Sequence, residues 1–274
     1  MKRVATIILN RNLPDVADAL FAHLRRYDGD NTDVYVVEAG SDSDNLSKNA
    51  TWHASWPEAK AHGLRYCRGM NYGLSQLWKE EKFKQYDAFF LLSNDTELQP
   101  QKTIEPLVEI LDQHPRVGIL SPCSKRWGER FLLEKQSTKY FWFIHNNAYL
   151  LRREFIESIF NNDEPDAMNF LFDGANFRGY GSENELIAKA YANDWAAAIT
   201  SSIWAGENES HLLEKSDLIK TEAFEDNLKL YAEEGRAWMR KKYGFNSHWS
   251  MQQYVKSFYD RFFEFHPECA IYKI

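Results

Sequence analysis

Apolar runs and amphipathic segments alternate along the first half of the chain. Residues 4–9 form a continuous run rich in β-branched residues, which is typical of a strand buried on both faces. The following segment, NLPDVADALFAHLRRY, carries apolar residues at helical spacing, with Pro14 near its start. In the same way DVYVVE, YDAFFLL and RVGIL predict strands, whereas MNYGLSQLWKEEKF and KTIEPLVEILDQH predict helices. This alternation indicates an α/β fold with a Rossmann-like, mostly parallel sheet flanked by helices.

The second half of the chain is less regular and becomes helical towards its end. YFWFIHNNAYLLRREFIESIF predicts strands followed by a helix, and the next segment is rich in turn-forming residues. SENELIAKAYAND predicts a helix and WAAAITSSIW a strand. From about Gly206 the chain is polar with apolar stripes at helical spacing. We therefore expect one α/β domain over 1–205 and a helical C-terminal extension over 206–274 that packs on it.

Composition and charge narrow the classes of function. With 274 residues, 44% of them hydrophobic, the chain can bury a sizeable core. Its net charge of -7, without a dense basic block, argues against nucleic acid as a partner. Three widely separated cysteines without zinc spacing suit a reducing cytoplasm. No apolar segment reaches about 18 residues, and the N-terminus lacks a signal-peptide cleavage site, so we expect neither a span nor a leader.

Polar residues follow three of the predicted strands. The first strand leads into Asn10 and Arg11, the second ends at Glu38, and the third runs into Asn94 and Asp95. Each group alone could be a solvated turn, because Asn, Asp and Ser favour turns. In open α/β sheets, however, ligands bind at the carboxyl ends of the strands. Three polar strand ends on one edge therefore favour a binding site.

The common phosphate-binding and nucleophile motifs are absent from the sequence. No G-x-G-x-x-G follows the first strand, and neither a Walker-type G-x-x-x-x-G-K nor a G-x-S-x-G elbow occurs. Backbone amides in those arrangements therefore cannot hold a phosphate. An acidic group at a strand end instead suggests a divalent cation that bridges to phosphate oxygens.

The ordered motifs resemble those of a known family. In sequence they are VATIILNRN, VYVVEAGSDSD, GLRYCRGMNYGL, YDAFFLLSNDTEL, VGILSP, NNAYLLRREFI and FDGANFRGYGSENEL. This set is similar to the GT-A fold of family 2 glycosyltransferases, especially the rhamnosyltransferase-like members, over roughly residues 3–205. The tail RAWMRKKYG also resembles the Lys-Tyr/Trp-Gly ending of many members. Members are metal-dependent, inverting enzymes that use nucleotide sugars.

The resemblance implies roles for the residues at the strand ends. SNDTE stands where the family has its D-x-D-type motif, so Asp95 is implied as the ligand of Mn²⁺ or Mg²⁺. Ser93 replaces the first acid of that motif, and Trp204 stands where many members have a metal-binding His, which leaves the third ligand open. The residues implied on the nucleotide-sugar side are Asn10, Arg11, Glu38, Asn71 and Asn94.

The helix start in GYGSENEL stands where the family has its catalytic acid. Aligning Leu186 with the family's Leu places Glu183 on the catalytic base and Glu185 on the acid that follows. The alternative is that acids in the first helical turn only complement the helix dipole. Residues two apart lie about 200° apart around a helix, so the two carboxylates cannot face one cleft.

The acceptor side and the C-terminal helices complete the expectations. HNNAYLLRRE resembles the segment that lines the acceptor site, so Asn146 and Asn147 are candidates for acceptor binding, although ordinary loop capping would also explain them. The apolar stripe of the last helix is expected to pack on the domain. A homodimer, or peripheral contact with the inner face of the membrane, is the alternative. The stripe consists of Met251, Tyr254, Val255, Phe258 and Phe262.

The sequence therefore predicts an inverting glycosyltransferase. It would move a sugar from a nucleoside-diphosphate sugar to a hydroxyl of a glycan or lipid-linked glycan, in bacterial surface glycan biosynthesis. Two alternatives remain open. One is a sugar nucleotidyltransferase, although IILNRNLPD lacks that class's Gly-rich start. The other is a non-catalytic module that binds a nucleotide sugar or a glycan.

Overall fold

A computed structural model describes residues 3–124, 128–145, 148–160, 164–208, 210, 214–215 and 217–274. Within them the chain forms one nine-stranded sheet with helices against it. The strands are β1 (Val4–Asn10), β2 (Thr32–Glu38), β3 (Ala50–His53), β4 (Ala88–Ser93), β5 (Thr96–Leu98), β6 (Val117–Ser124), β7 (Thr138–Tyr140), β8 (Ala148–Arg152) and β9 (Ala196–Glu207). The helices are α1 (Pro14–Asp28), α2 (Pro57–His62), α3 (Arg65–Lys79), α4 (Ile104–Gln113), α5 (Arg153–Ile159), α6 (Ser182–Ala192), α7 (Phe224–Tyr243) and α8 (His248–Phe265).

The sheet has the strand order β3-β2-β1-β4-β8-β6-β9-β5, and β7 pairs with β9. Strands β3, β2, β1 and β4 are parallel, as are β6 and β9. Strand β8 lies antiparallel between β4 and β6, while β5 and β7 run antiparallel to β9. The parallel block at one side thus brings the carboxyl ends of β1, β2 and β4 to one edge.

The register of the parallel block sets the polar strand ends side by side. Every residue of β1 is buried, because helices or other strands cover both of its faces. Asn10 at the end of β1 pairs with Glu38 at the end of β2, and Leu9 pairs with Ser93 at the end of β4. The polar residues that follow these strands therefore lie next to each other in space.

Helix α3 approaches this block closely because two glycines face it. A Cβ on Gly69 would lie 2.3 Å from a methyl of Leu9, and a Cβ on Gly73 would lie 3.0 Å from Ile7 and Val37. Larger residues at these two positions would push α3 away from the sheet. The N-terminal turn of α3 is consequently held at the same edge as the polar strand ends.

The predicted α/β architecture with a mostly parallel, helix-flanked sheet is confirmed, with local differences. Strand β5 was not predicted; its three residues are too few for a visible alternation, and they pair with the distant end of β9. Residues 42–62, for which the sequence predicted no helix or strand, contain β3 and α2. Helix α3 begins at Arg65, five residues before the predicted MNYGL start, because the residues between lack a clear apolar face.

The last two helices bury apolar residues against the rest of the chain. In α8, Met251, Val255 and Phe262 are buried, while Tyr254 and Phe258 are half-buried against the core. The expected stripe therefore packs within this chain, and the division at residue 205 stays a prediction. Within the described residues, none of the helices combines the length and apolar character needed to cross a membrane.

We expect Tyr259→Phe to destabilise the protein by about 1–2 kcal/mol. The buried hydroxyl of Tyr259 lies 3.2 Å from the carbonyl oxygen of Tyr140, and it accepts a hydrogen bond from the N–H of Ile274 at 3.0 Å. Removing it leaves these backbone groups without that partner. Urea unfolding of Tyr254→Phe on the same helix is the control, because the Tyr254 hydroxyl has no hydrogen-bond partner among the described residues. Equal losses in both variants would contradict this role for Tyr259.

Candidate functional site

A cavity of about 220 Å³ lies at the carboxyl ends of β1 and β4, which we call the strand-end cavity. Its lining is contributed by the ends of both strands, the start of α3 and a segment before α7. The described lining residues are Leu9, Asn10, Arg11, Leu13, Ala39, Arg65, Tyr66, Ser93, Asn94, Asp95, Ile219 and Thr221. The cavity thus occupies the position at which open α/β sheets bind ligands.

A chain of hydrogen bonds joins the three strand ends beneath this lining. The amide of Asn10 donates to both carboxylate oxygens of Glu38 at 3.0 and 3.1 Å, and its oxygen accepts from the Asn94 amide at 2.7 Å. Glu38 also accepts from the Ser41 hydroxyl and, at 2.8 Å, from the N–H of Ser47. Glu38 is fully buried and is not among the described lining residues. It fixes the orientation of Asn10 and Asn94, which do line the cavity.

Two arginines supply the positive charge of the strand-end cavity. Burial, and then the charge of Arg65, lowers the pKa of Arg11 to about 10. Burial, and then the charge of Arg178, lowers the pKa of Arg65. In each guanidinium the Nε is buried without a hydrogen-bond partner among the described residues. Two desolvated cations with unused donors favour an anion that accepts hydrogen bonds.

The backbone is left-handed at three positions around the cavity. Asn12 has φ 55°, Arg65 has φ 54° and Lys220 has φ 51°, a region that few residues other than glycine occupy. Asn12 is held by the Ser41 hydroxyl, which accepts from its N–H at 3.0 Å. The same conformation occurs at Glu81, Gln136 and Asp194, which do not line the cavity, so by itself it does not identify the site. Of Asn12, Arg65 and Lys220, Arg65 lines the cavity.

Residues 217–222, which we call the strap, cover one side of the strand-end cavity. The Asn12 amide donates to the carbonyl of Leu218 at 2.7 Å, and Arg65 donates to the Thr221 hydroxyl at 2.8 Å. Lys220 and Asp42 form an ion pair of 2.5 Å. These contacts connect the strap to the loops after β1 and β2 and to the start of α3.

The last strap residue is held by a buried arginine. Arg178 is only 7% exposed and donates to Glu222 at 2.7 Å, to Glu234 at 3.0 Å and to the Asn227 oxygen at 2.8 Å. The hydrogen bond from Arg178 is the main reason why the pKa of Glu222 falls to about 2. Glu222 also contacts Arg65 at 3.3 Å. The strap therefore stays ionically attached at all but strongly acidic pH.

Asp95 lies in the turn between β4 and β5, at the rim of the cavity. Its carbonyl accepts from the N–H of Asn208 at 2.9 Å, which ties the turn to the end of β9. Within the described ranges, no group of three His, Cys, Asp or Glu side chains lies close enough to hold a metal ion. The carboxylate of Asp95 and the hydroxyl of Ser93 are nevertheless hard oxygen donors at one cavity wall. Such a set fits Mg²⁺ or Mn²⁺ that takes its other ligands from water and phosphate.

Glu183 is a buried carboxyl in the first turn of α6. Burial raises its pKa to about 7, and its own backbone N–H offsets part of that effect. Burial also raises the pKa values of Tyr66, Tyr180 and Tyr231, and the nearby charge of Glu183 raises them further. Among the described lining residues of the strand-end cavity Tyr66 is present and Glu183 is not. A carboxyl with a pKa near neutrality is suited to take up a proton.

Glu185 is engaged in ion pairs. Its carboxylate contacts Lys242 at 2.6 Å and Lys189 at 3.7 Å, and it accepts a hydrogen bond from the Tyr243 hydroxyl. Lys242 also pairs with Asp173 at 2.6 Å. The Lys-Tyr-Gly ending of α7 thus attaches this helix to α6 through Glu185, whereas Glu183 has none of these partners.

Asn71 holds a neighbouring loop. Its amide nitrogen donates to the carbonyls of Ala167 and Phe172 at 3.2 and 2.8 Å, and its oxygen accepts from the N–H groups of Leu171 and Phe172. It is fully buried and is not among the described residues that line the strand-end cavity. Any effect of Asn71 on a ligand would therefore pass through the loop.

Asn146 and Asn147 lie outside the described residues. Arg65 and Tyr66 were missed, although both belong to the quoted GLRYCRGMNYGL segment, and the basic residue at the start of a helix was the available signal. Thr221 and its neighbours carried no signal, because their role depends on contacts with residues far away in sequence.

Comparisons with known proteins identify the fold. No protein-family model and no curated protein sequence matches this chain. The structure is similar to GalNAc-T7 with UDP, GalNAc and Mn²⁺, at a TM-score of 0.59 and 8% identity, covering 96% of this chain and 57% of that one. It is similar to the mannosyltransferase PcManGT from Pyrobaculum calidifontis in complex with GDP-Man and Mn²⁺, at a TM-score of 0.50 and 13% identity, covering 95% and 86%. It is also similar to S. aureus TarS 1–349, at a TM-score of 0.50 and 14% identity, covering 97% and 72%.

These similar proteins are GT-A fold glycosyltransferases, and the chain has the GT-A fold. The likeness is one of fold, since the identities are 8%, 13% and 14%. This chain spans little more than half the length of the GalNAc-T7 chain, 57%. The comparisons therefore show the fold, and they do not show the activity, substrates or partners of this chain.

Proposed function

We propose that this protein is a metal-dependent, inverting glycosyltransferase of the rhamnosyltransferase-like type. It transfers a sugar from a nucleoside-diphosphate sugar to a hydroxyl of a glycan or lipid-linked glycan in bacterial surface glycan biosynthesis. The nucleotides and Mn²⁺ bound by two of the similar GT-A proteins are consistent with this donor class.

The observation that carries the proposal is the charge arrangement of the strand-end cavity. Arg11 and Arg65 each present a buried Nε without a protein partner among the described residues, and Asp95 lines the same cavity. A lone anion would be repelled by Asp95, and a lone cation by the arginines. A diphosphate with a divalent cation satisfies both, because the arginines bind phosphate oxygens and the carboxylate binds the cation.

The cation would be held by Asp95, with the hydroxyl of Ser93 on the same wall. When bound, it supplies positive charge where the departing diphosphate becomes more negative. Arg11 and Arg65 bind the same leaving group from the protein side and orient it. The strap covers the cavity and reduces the access of water to the donor.

Glu183 is the residue we assign as the general base. It removes the proton of the acceptor hydroxyl as that oxygen attacks the sugar carbon from the face opposite the diphosphate, which inverts the configuration. Its raised pKa matches this task at neutral pH, and Glu185 is engaged with Lys242 and Lys189. Asn146 and Asn147 remain candidates for holding the acceptor.

The direct test is binding of UDP, GDP, CDP and dTDP with Mn²⁺, measured as a rise in melting temperature. We expect one of these diphosphates to stabilise the protein, and Arg65→Gln to weaken its binding about 10- to 100-fold, because a charge-assisted hydrogen bond is lost. Arg68→Gln is the matched control: it removes the same charge from the same helix, but Arg68 is not among the described lining residues.

Equal weakening by both variants would mean that the helix contributes only general positive charge. Stabilisation by none of the four diphosphates would contradict the proposed donor class. A glycosyl-transfer assay with the nucleotide sugar of the selected base then separates the enzyme from a binding module. Release of pyrophosphate from a nucleoside triphosphate would instead indicate a nucleotidyltransferase.

A further inference from the structure

The hydroxyl of Tyr66 is a third unused donor in the strand-end cavity. Tyr66 follows Arg65 in the first turn of α3 and lines the cavity. Its ring packs edge-on against Phe172, with centroids 5.5 Å apart, so its position is fixed by packing. The hydroxyl oxygen is buried and has no hydrogen-bond partner among the described residues. A buried, unpaired hydroxyl costs stability and needs an explanation.

The surroundings of this hydroxyl differ from those of the arginines. Burial, then the neighbouring Cys67, Glu207 and Glu183, raise the pKa of Tyr66 well above its ordinary value. The phenol therefore keeps its proton at all physiological pH and acts as a neutral hydrogen-bond donor. Two carboxyl groups near it would repel a phosphate oxygen, whereas a neutral hydroxyl or ether oxygen would not be repelled.

We propose that the Tyr66 hydroxyl donates a hydrogen bond to an oxygen of the donor's sugar ring or its hydroxyl groups. This inference rests on the proposed function. In the proposed arrangement, two parts of the cavity bind two parts of the donor. Arg11 and Arg65 bind the charged diphosphate, and Tyr66, on the side of Glu183, binds the neutral sugar. The tyrosine then positions the sugar between its leaving group and the proposed base.

Tyr66→Phe isolates this contact, because phenylalanine keeps the ring against Phe172 and removes only the hydroxyl. The probes are UDP, GDP, CDP and dTDP and the sugar esters UDP-glucose, UDP-N-acetylglucosamine, GDP-mannose, CDP-glucose and dTDP-glucose, each titrated by calorimetry with Mn²⁺. The ester that the unchanged protein binds most tightly is compared with its own diphosphate. We expect Tyr66→Phe to bind that ester about tenfold more weakly and the diphosphate with unchanged affinity.

The stability of the free protein is a second readout. Since the hydroxyl has no protein partner, Tyr66→Phe should melt at the same or a higher temperature than the unchanged protein. Tyr72→Phe is the control: it makes the same change on the same helix, half-buried and outside the described cavity lining. It should change neither the ester nor the diphosphate affinity.

Four results would overturn the inference. If Tyr66→Phe weakens the binding of the ester and of the diphosphate equally, the hydroxyl binds the phosphates and not the sugar. If Tyr66→Phe lowers the melting temperature without selectively weakening ester binding, Tyr66 is a structural residue. If neither the melting temperature nor either affinity changes, the hydroxyl makes no contact with the ligand. If the unchanged protein binds neither the diphosphates nor the esters, the proposed function fails, and this inference fails with it.

Discussion

Glu183→Gln is expected to lower the rate of glycosyl transfer by about 10²- to 10⁴-fold, because glutamine cannot accept the acceptor's proton. Binding of the nucleoside diphosphate should be unchanged, since the strand-end cavity keeps both arginines. In the unchanged protein, kcat/KM should rise with pH through about 7, the pKa that burial gives to Glu183. Steady-state kinetics across this pH range measures both effects.

The same substitution should stabilise the fold at alkaline pH. Burial raises the pKa of Glu183 from 4.5 to about 7 in the folded protein. Below the lower value both the folded and unfolded states are protonated, and stability is unaffected. Between these two pKa values only the unfolded state ionises, so the free energy of unfolding falls as the pH rises. Above the upper pKa value, the free energy of unfolding stays about 3 kcal/mol lower than it is in the fully protonated protein. Glutamine does not ionise, so the variant does not lose this stability. In urea unfolding, the free energy of unfolding of the variant should exceed that of the unchanged protein by more at pH 8 than at pH 5.

Glu185→Gln is the matched control on the same helix. It removes the carboxylate that binds Lys242 and Tyr243, so we expect lower stability and nearly unchanged turnover. The opposite result, with activity lost in Glu185→Gln and retained in Glu183→Gln, would identify Glu185 as the base. Full activity in both variants would show that neither carboxyl group at the start of α6 takes part in catalysis.

Asp95→Asn is expected to lower turnover by about 10²- to 10³-fold, because the variant would no longer hold the divalent cation that stabilises the leaving diphosphate. Affinity for the nucleoside diphosphate should fall only when Mn²⁺ is present. In EDTA, Arg11 and Arg65 still bind the diphosphate, and the variant should match the unchanged protein. Calorimetry with and without the cation is the measurement.

Glu97→Gln controls for charge near the same turn. Glu97 lies two residues further along, in β5, and is exposed. Its replacement should leave the Mn²⁺-dependent part of the affinity intact. An equal loss of diphosphate affinity by Asp95→Asn in EDTA and in Mn²⁺ would show that Asp95 is not a cation ligand.

Much of the fold and one side of the site could be predicted from local patterns. The continuous apolar runs of β1 and β4 identify buried parallel strands, and the polar residues after them must meet because parallel strands end at one edge. Asn10, Asn94 and Asp95 were found in this way, and all three line the strand-end cavity. Periodicity and strand ends are local properties, and a sequence displays them directly.

The rest depends on contacts between distant residues. Arg65 donates to Thr221, 156 positions away, and Asn12 donates to Leu218, 206 positions away. No local pattern identifies such partners. Glu38 shows the reverse case: a polar residue at a strand end suggested ligand contact, but its oxygens accept hydrogen bonds from Asn10, Ser41 and Ser47.

The attachment of the strap has a consequence for how the protein is made on the ribosome. Asn10 and Arg11 emerge before most of the parallel block, which can begin to form while translation continues. Ile219 and Thr221, which line the same cavity, lie about 200 residues further along the chain and emerge much later. Because closing this long loop is a late step, a nascent or prematurely terminated chain has its sheet before it has a complete cavity. We therefore expect nucleotide binding only from chains whose synthesis has continued beyond the strap.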